Sequence, residues 1–129
     1  MPLIVTPLYA GALALLLIFL SFRVIFYRWS SKISLGDDGD KALRKRIRTQ
    51  ANCAEYAPFG ALLLLLAELQ GAPVWALHLL GLTLLAGRLL HAVGFGSTPQ
   101  ILPLRQAGMV LTFTMLLLSG LGLIGHALF

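Results

Sequence analysis

Long apolar runs separated by short polar segments dominate the chain, and they predict four membrane-spanning helices. The first run, residues 3–22, consists of 20 uncharged residues, about the number that crosses a bilayer as a helix. Two later runs, which begin at Val74 and Gln106, have a similar length. We expect an all-α, antiparallel four-helix bundle that forms a single domain over residues 1–129, with spans at about 3–27, 43–69, 74–92 and 104–128.

The second span is the least apolar of the four. Its uncharged run, residues 56–67, is only 12 residues long, so the helix must begin near Leu43 with basic and polar turns. Polar groups at membrane depth are costly unless they face a bundle interior, so we expect functional residues in this segment. Glycine and proline punctuate the remaining connections, and we expect the loop before the fourth span to include Gly94, Gly96 and Pro99.

Basic residues give the predicted orientation. The chain has 10 Lys and Arg against 5 Asp and Glu, and its 58% hydrophobic content is too high for an ordinary soluble domain. Eight of these cations lie in one segment between the first two apolar runs: Arg23, Arg28, Lys32, Lys41, Arg44, Lys45, Arg46 and Arg48. Because such loops stay on the cytoplasmic side, we expect both termini on the non-cytoplasmic side. No interleaving of aromatic and basic residues accompanies the charges, so we expect no nucleic-acid partner.

Cysteine and histidine usage points away from disulfide and metal chemistry. Cys53 is the single cysteine, and free cysteine usually behaves as a small packing residue. No pair among the three histidines has the spacing of a metal site, so we expect none.

The polar start of the second helix has a patterned face. Arg48, Asn52, Glu55 and Tyr56 follow one another at helical spacing and share one side, whereas Gln50 points nearly opposite, towards another neighbour or another subunit. A guanidinium beside a carboxylate suits a zwitterionic ligand, because each group can bind the opposite charge. The alternative is a network that ties helices together, with Arg48 paired to Glu55 and Asn52 bonded to a backbone carbonyl.

One arginine per helix converges on the predicted cytoplasmic boundary. Arg23 ends the first apolar run, Arg48 lies at the start of the second helix, Arg88 lies late in the third, and Arg105 begins the fourth. We expect this ring of cations to form an anion site.

Two motifs carry a family resemblance. The segment Arg48-Thr-Gln-Ala-Asn-Cys-Ala-Glu-Tyr-Ala-Pro58, together with Gly87-Arg-Leu-Leu-His91, resembles the membrane-associated proteins in eicosanoid and glutathione metabolism (MAPEG), most of all their small bacterial branch. That family includes microsomal glutathione transferases and leukotriene-C synthase. The resemblance implies a homotrimer in the bacterial inner membrane, with glutathione bound between subunits near the cytoplasmic face.

The resemblance also assigns residues. By position, the expected glutathione contacts are Arg23 (with Arg28 as a competitor), Arg48, Gln50, Asn52, Glu55, Tyr56, Arg88 and His91. Arg105 matches the arginine that activates the thiol. Two positions depart from the family's tyrosines: Phe95 cannot donate a hydrogen bond, and His91 either binds a carboxylate or caps its helix.

The implied activity is that of a glutathione transferase or peroxidase. Glutathione would be the co-substrate, and an apolar electrophile or lipid hydroperoxide would enter from the membrane lipids. A non-catalytic lipid- or partner-binding protein of the same fold is the alternative. A small multidrug exporter is more remote, because it needs a carboxylate in mid-span; Glu55 lies among arginines and Glu68 near the outer end of its helix.

Overall fold

The computed structural model describes residues 2–129, and this part of the chain forms four α-helices. They are α1 (Val5–Ser31), α2 (Lys41–Leu69), α3 (Val74–Gly96) and α4 (Leu102–Leu128). Three of them, α1, α3 and α4, are long and apolar enough to cross a membrane. The predicted all-α membrane bundle is therefore confirmed, with α2 as its most polar member.

The two central helices hold the bundle together. Within residues 2–129, α2 and α3 each contact all other helices, whereas α1 and α4 do not touch one another. Large side chains at the centre are fully buried, among them Leu64 of α2, Leu84 of α3 and Met115 of α4. Most other apolar side chains face outward, as expected of a protein surrounded by lipid.

Helices α3 and α4 approach most closely, and glycines permit the approach. A Cβ atom at Gly94 would collide with the backbone of Arg105, and one at Gly108 would collide with the backbone of His91. The expectation that Gly94 and Gly96 lie in a loop is wrong, because α3 continues through both. Gly94 and Gly108 keep the backbones of α3 and α4 close where a side chain would separate them.

Both ends of the chain lie at the same end of the bundle. The Glu68 carboxylate, near the end of α2, accepts hydrogen bonds from the first backbone N–H groups of α1, those of Val5 at 2.8 Å and Thr6 at 2.8 Å. Residue His126, near the end of α4, lines a cavity together with the turn that follows α2. The loop between α1 and α2 therefore occupies the opposite end.

Carboxylates order the loop between α1 and α2. Asp40 caps α2 by accepting from the Leu43 N–H at 3.0 Å, and the Tyr27 hydroxyl donates to it at 2.8 Å. Asp37 binds the Arg44 guanidinium at 2.7 Å. The Leu43 N–H and the Tyr27 hydroxyl hold the pKa of Asp40 below its ordinary value, and Arg44 does the same for Asp37.

Candidate functional site

Arg88 is a deeply buried charged side chain of the candidate site, with 1% of its surface exposed. Its Nε donates to the Thr112 hydroxyl on α4 at 3.0 Å. Its Nη1 donates to Asn52 on α2, both to the backbone carbonyl at 3.2 Å and to the side-chain oxygen. A buried guanidinium needs hydrogen-bond partners, and these bonds supply them for Arg88. They also hold the Asn52 side chain in position.

The remaining contacts of Arg88 extend the same cluster. Its Nη2 lies 3.1 Å from the Met109 sulfur, and its Cζ lies 5.3 Å from the centroid of the Tyr56 ring. The structure thus brings together Arg88, Asn52 and Tyr56, which the sequence assigned to one site, and adds Thr112 and Met109, which it did not. No signal in the sequence marked these two residues, because spacing along α4 does not show which of its side chains face Arg88 on α3.

The polar face of α2 contains an exposed ion pair. Arg48 Nη1 and Glu55 Oε1 are 3.6 Å apart, with 51% and 54% of their side chains exposed. Gln50 points away from them and donates to the Ser21 hydroxyl of α1 at 3.4 Å. Its neighbour is therefore a helix of the same chain, whereas Arg48 and Glu55 remain accessible to a ligand.

Arg105 rests on an aromatic platform formed by α3. Its Cζ lies 4.0 Å from the centroid of the Phe95 ring, and its Nη1 donates to the Gln100 side chain at 3.0 Å. Phe95 in turn meets the His91 ring edge-on at 5.6 Å, and His91 is 2% exposed. Phe95 donates no hydrogen bond, but it holds the guanidinium over its face by a cation–π contact.

Two arginines of α1 have separate surroundings. Arg23 donates to the Gly96 carbonyl of α3 at 3.1 Å, and a Cβ atom at position 96 would meet its guanidinium at 2.5 Å. Arg28 donates to the carbonyls of Ile33 at 3.3 Å and Gly36 at 2.8 Å, in the loop that follows its own helix. Of the two, Arg23 is therefore the one that contacts another helix.

A basic depression opens at this end of the bundle. It encloses about 460 Å³ and is lined by Lys41, Arg44, Lys45, Arg48, Phe95, Pro99 and Gln100. Four of these seven residues are cations and none is acidic. Lys45 also donates to the Ser97 carbonyl, which anchors α2 to the segment after α3. The depression shares Arg48 with the polar face of α2, and Phe95 and Gln100 with the surroundings of Arg105, so it is suited to an anionic ligand.

The arrangement places the expected residues in three groups. Arg88, Asn52 and Tyr56 form the buried cluster, Arg48 and Glu55 lie at the accessible face, and Arg105 lies on Phe95 beside His91. Gln50 and Arg23 make their contacts elsewhere, with Ser21 and with Gly96.

Known proteins resemble this chain over most of its length. A family model described as the MAPEG family matches residues 6–125. Two relatives, both named inner membrane protein YecN, come from Escherichia coli strain K12 and Escherichia coli O6:H1 strain CFT073. Each is 40% identical over 114 residues, which cover 88% of this chain and 86% of the relative. Their names give a location in the inner membrane and state no reaction.

Proposed function

Since the chain belongs to the MAPEG family, as its sequence motifs predicted, we propose that it binds glutathione at the basic depression and conjugates it, through its sulfur, to apolar electrophiles. The same site would reduce lipid hydroperoxides. We further propose that it works as a homotrimer in the bacterial inner membrane, with the depression facing the cytoplasm.

The basic depression is the observation that carries the proposal. Glutathione carries two carboxylates and one ammonium group, so its net charge is negative at neutral pH. Four cations and no acidic residue line the depression, and its volume of about 460 Å³ lies within the range of small-molecule sites. Arg48, which lines the depression, lies 3.6 Å from Glu55, and the pair offers a guanidinium for a carboxylate and a carboxylate for the ammonium.

The buried cluster would position a residue that contacts the ligand. Because Arg88 donates hydrogen bonds to Asn52 and Thr112, its role is to hold Asn52 in place on the polar face of α2. Asn52 keeps its side-chain NH₂ group for the peptide. A neighbouring subunit would cover the open side of the depression.

Arg105 is the proposed catalytic residue. A free thiol has a pKa near 8.5, and a guanidinium within about 4–6 Å lowers it by about 1–3 units, so more of the reactive thiolate is present at neutral pH. The thiolate sulfur attacks the electrophilic carbon, a carbon–sulfur bond forms, and the leaving group departs with the bonding electrons. With a hydroperoxide, the thiolate sulfur attacks the distal oxygen, the O–O bond breaks, and the lipid leaves as an alkoxide that takes up a proton to become an alcohol. A second glutathione then converts the resulting sulfenic acid to a disulfide and water.

Thiolate absorbance in the ultraviolet tests this assignment. Purified protein in detergent is titrated with glutathione, and binding is followed in parallel by calorimetry. We expect a saturable thiolate signal in the natural chain and a loss of most of it in Arg105→Ala, because the bound thiol returns to a pKa near 8.5. Arg48→Ala should weaken binding instead.

Arg28→Ala is the matched control, because it removes a cation that binds only loop carbonyls of its own connection among the described contacts. A thiolate signal retained in Arg105→Ala would overturn the catalytic role of that residue. Binding without any thiolate signal would favour the non-catalytic alternative, and an absence of binding would overturn the assignment of glutathione.

A further inference from the structure

A second charged pocket, here called the α1 pocket, lies at the end of α1 and shares no residue with the basic depression. It encloses about 410 Å³ and is lined by Arg28, Trp29, Lys32, Ile33 and Ser34. None of these residues is acidic. The α1 pocket therefore combines two cations with one aromatic ring.

Neither cation of the α1 pocket has an acidic partner within residues 2–129. The Nη1 of Arg28 donates to the loop carbonyls of Ile33 at 3.3 Å and Gly36 at 2.8 Å, and these bonds hold the guanidinium in place. Its other nitrogens make no hydrogen bond within the described residues, and neither does the ammonium group of Lys32 one turn later. Both side chains thus keep free donors for a ligand.

The three carboxylates of the loop that follows do not neutralise the α1 pocket. Asp37 pairs with Arg44, and Asp40 accepts a hydrogen bond from Tyr27. Asp38 is exposed and, like the other two, does not line the pocket. Two cations held close together without a counter-charge attract an anion, and the pocket offers no carboxylate to an ammonium group.

The length of α1 places these cations at the level of lipid headgroups. The helix runs 27 residues from Val5, and Arg28 lies in its last turn, about 35 Å from its start. The hydrocarbon core of a bilayer is about 30 Å thick, and the headgroup regions bring the total to about 40–45 Å. A helix that crosses the core from its first turn therefore carries Arg28 into the headgroup region on the far side.

An aromatic strip on α1, formed by Phe22, Phe26 and Trp29, leads from the membrane to the α1 pocket. The ring centroids of Phe22 and Phe26 are 5.4 Å apart, and those of Phe26 and Trp29 are 5.5 Å apart. All three side chains are exposed, Trp29 to 71%. Tryptophan is enriched where hydrocarbon meets headgroups, so the strip gives an acyl chain an apolar path that ends beside two cations.

We propose that the α1 pocket binds an anionic phospholipid, with its phosphate on Arg28 and Lys32 and an acyl chain along the aromatic strip. The free charges select an anionic lipid over a zwitterionic one, because the pocket has no acidic residue for the ammonium of a zwitterionic headgroup. The strip selects a lipid over a soluble anion. The site does not rest on the proposed glutathione chemistry.

Quenching of Trp29 fluorescence by brominated lipids tests the proposal on the full chain. The chain has two tryptophans, so a Trp75→Phe background leaves Trp29 as the single reporter. The protein is reconstituted in phosphatidylcholine bilayers that contain increasing fractions of brominated phosphatidylglycerol or of brominated phosphatidylcholine. We expect phosphatidylglycerol to bind beside Trp29 about tenfold more tightly or better, because each of the two cations contributes about fivefold, the ratio that about 1 kcal/mol produces.

Two lysine substitutions form a matched pair. Lys32→Gln should lower the preference for phosphatidylglycerol about fivefold, and its side chain makes no hydrogen bond within residues 2–129 that the fold would lose. Lys41→Gln removes the same charge at the same end of the bundle, outside the α1 pocket, and should leave the preference as in the natural chain. Arg28→Gln should act like Lys32→Gln, but it also releases two loop carbonyls, so Lys32→Gln remains decisive if the loop of Arg28→Gln does not fold.

Soluble glycerol phosphate separates a lipid site from a site for a free anion. It has the charge of the headgroup without the acyl chains, so an excess of it should leave the quenching by phosphatidylglycerol unchanged. Relief of the quenching would overturn the assignment of a lipid.

Three further results would overturn the proposal. Equal quenching by the two brominated lipids would show that the pocket does not select charge. Equal effects of Lys32→Gln and Lys41→Gln would show a diffuse attraction instead of a site. An absence of quenching by either lipid would show that Trp29 is covered, as a neighbouring copy of the chain would cover it.

Discussion

At the scale of single residues, the buried Arg88 is the feature on which the candidate site depends. Thr112→Val removes the acceptor of its Nε at nearly constant volume, at a position that is 0% exposed. Because the guanidinium then has a buried donor without a partner, we expect a loss of about 1.5–3 kcal/mol in the free energy of unfolding. A thiol-reactive dye reports the loss on heating, because Cys53 is 2% exposed and reacts once the bundle opens.

Thr114→Val is the control for that measurement. Its hydroxyl bonds only the Val110 carbonyl of its own helix among the described contacts, and its side chain is exposed, so the change should stay within about 0.5 kcal/mol. Equal melting of the two variants would show that the bond between Arg88 and Thr112 contributes little.

The sequence predicted some residue partners and not others, for a physical reason. Spacing on one helix brings Arg48 near Glu55, so their pairing could be predicted without a structure. The bonds of Arg88 join three helices, and nothing along one helix shows which side chain of another lies opposite. Thr112 and Met109 therefore came only from the packing, as did the stacking of Arg105 on Phe95.

At the scale of helices, the length of the apolar runs is enough to predict α1, α3 and α4, but it is not enough to predict α2. Its first turns are basic, so the helix was predicted from the need to complete a span and from its patterned polar face. The end of α3 was placed too early, since glycine both breaks helices and lets them approach one another. Gly94 serves the second purpose, because the backbone of Arg105 lies against it.

The close contact between α3 and α4 at Gly108 should be sensitive to one added methyl group. Gly108→Ala places a methyl group against the backbones of His91 and Gly87. Separating the two helices should cost about 1–3 kcal/mol of unfolding free energy. It should also weaken thiolate formation, because Arg105 on α4 moves away from Phe95 on α3.

Gly120→Ala on the same helix is the comparison. Its Cβ meets no neighbouring helix or side chain of residues 2–129 within 4 Å, and alanine is the better helix former by about 0.5–1 kcal/mol. The dye assay on Cys53 should therefore rank Gly120→Ala at or above the natural chain and Gly108→Ala below it. The reverse order would mean that the two backbones are not held in contact at Gly108.

At the scale of the whole molecule, the antiparallel bundle separates two kinds of chemistry between its ends. Cations gather around the basic depression at the loop end, and the cavity lined by His126, which has no Asp, Glu, Lys or Arg, lies at the other, where both chain ends are found. An even number of spans requires the ends to share a side, so the architecture followed from the apolar pattern. Neither pattern nor packing within one chain determines the number of subunits, because the contacts that decide it lie between copies.

The direction of the bundle in the membrane is the last prediction. The positive-inside rule places the loop between α1 and α2 in the cytoplasm. With Cys53→Ala as background, we expect a membrane-impermeant maleimide to label Phe129→Cys in intact bacteria and Ser34→Cys only after lysis; both positions are exposed.

The orientation matters for the chemistry as much as for the topology. A reducing cytoplasm supplies glutathione as the free thiol, whereas the bacterial periplasm is kept oxidising. Labelling of Ser34→Cys in intact cells would place the basic depression on the oxidising side. Glutathione as the co-substrate would then have to be abandoned, although the bundle and its basic depression would remain, since they depend on contacts within the chain and not on its direction in the membrane.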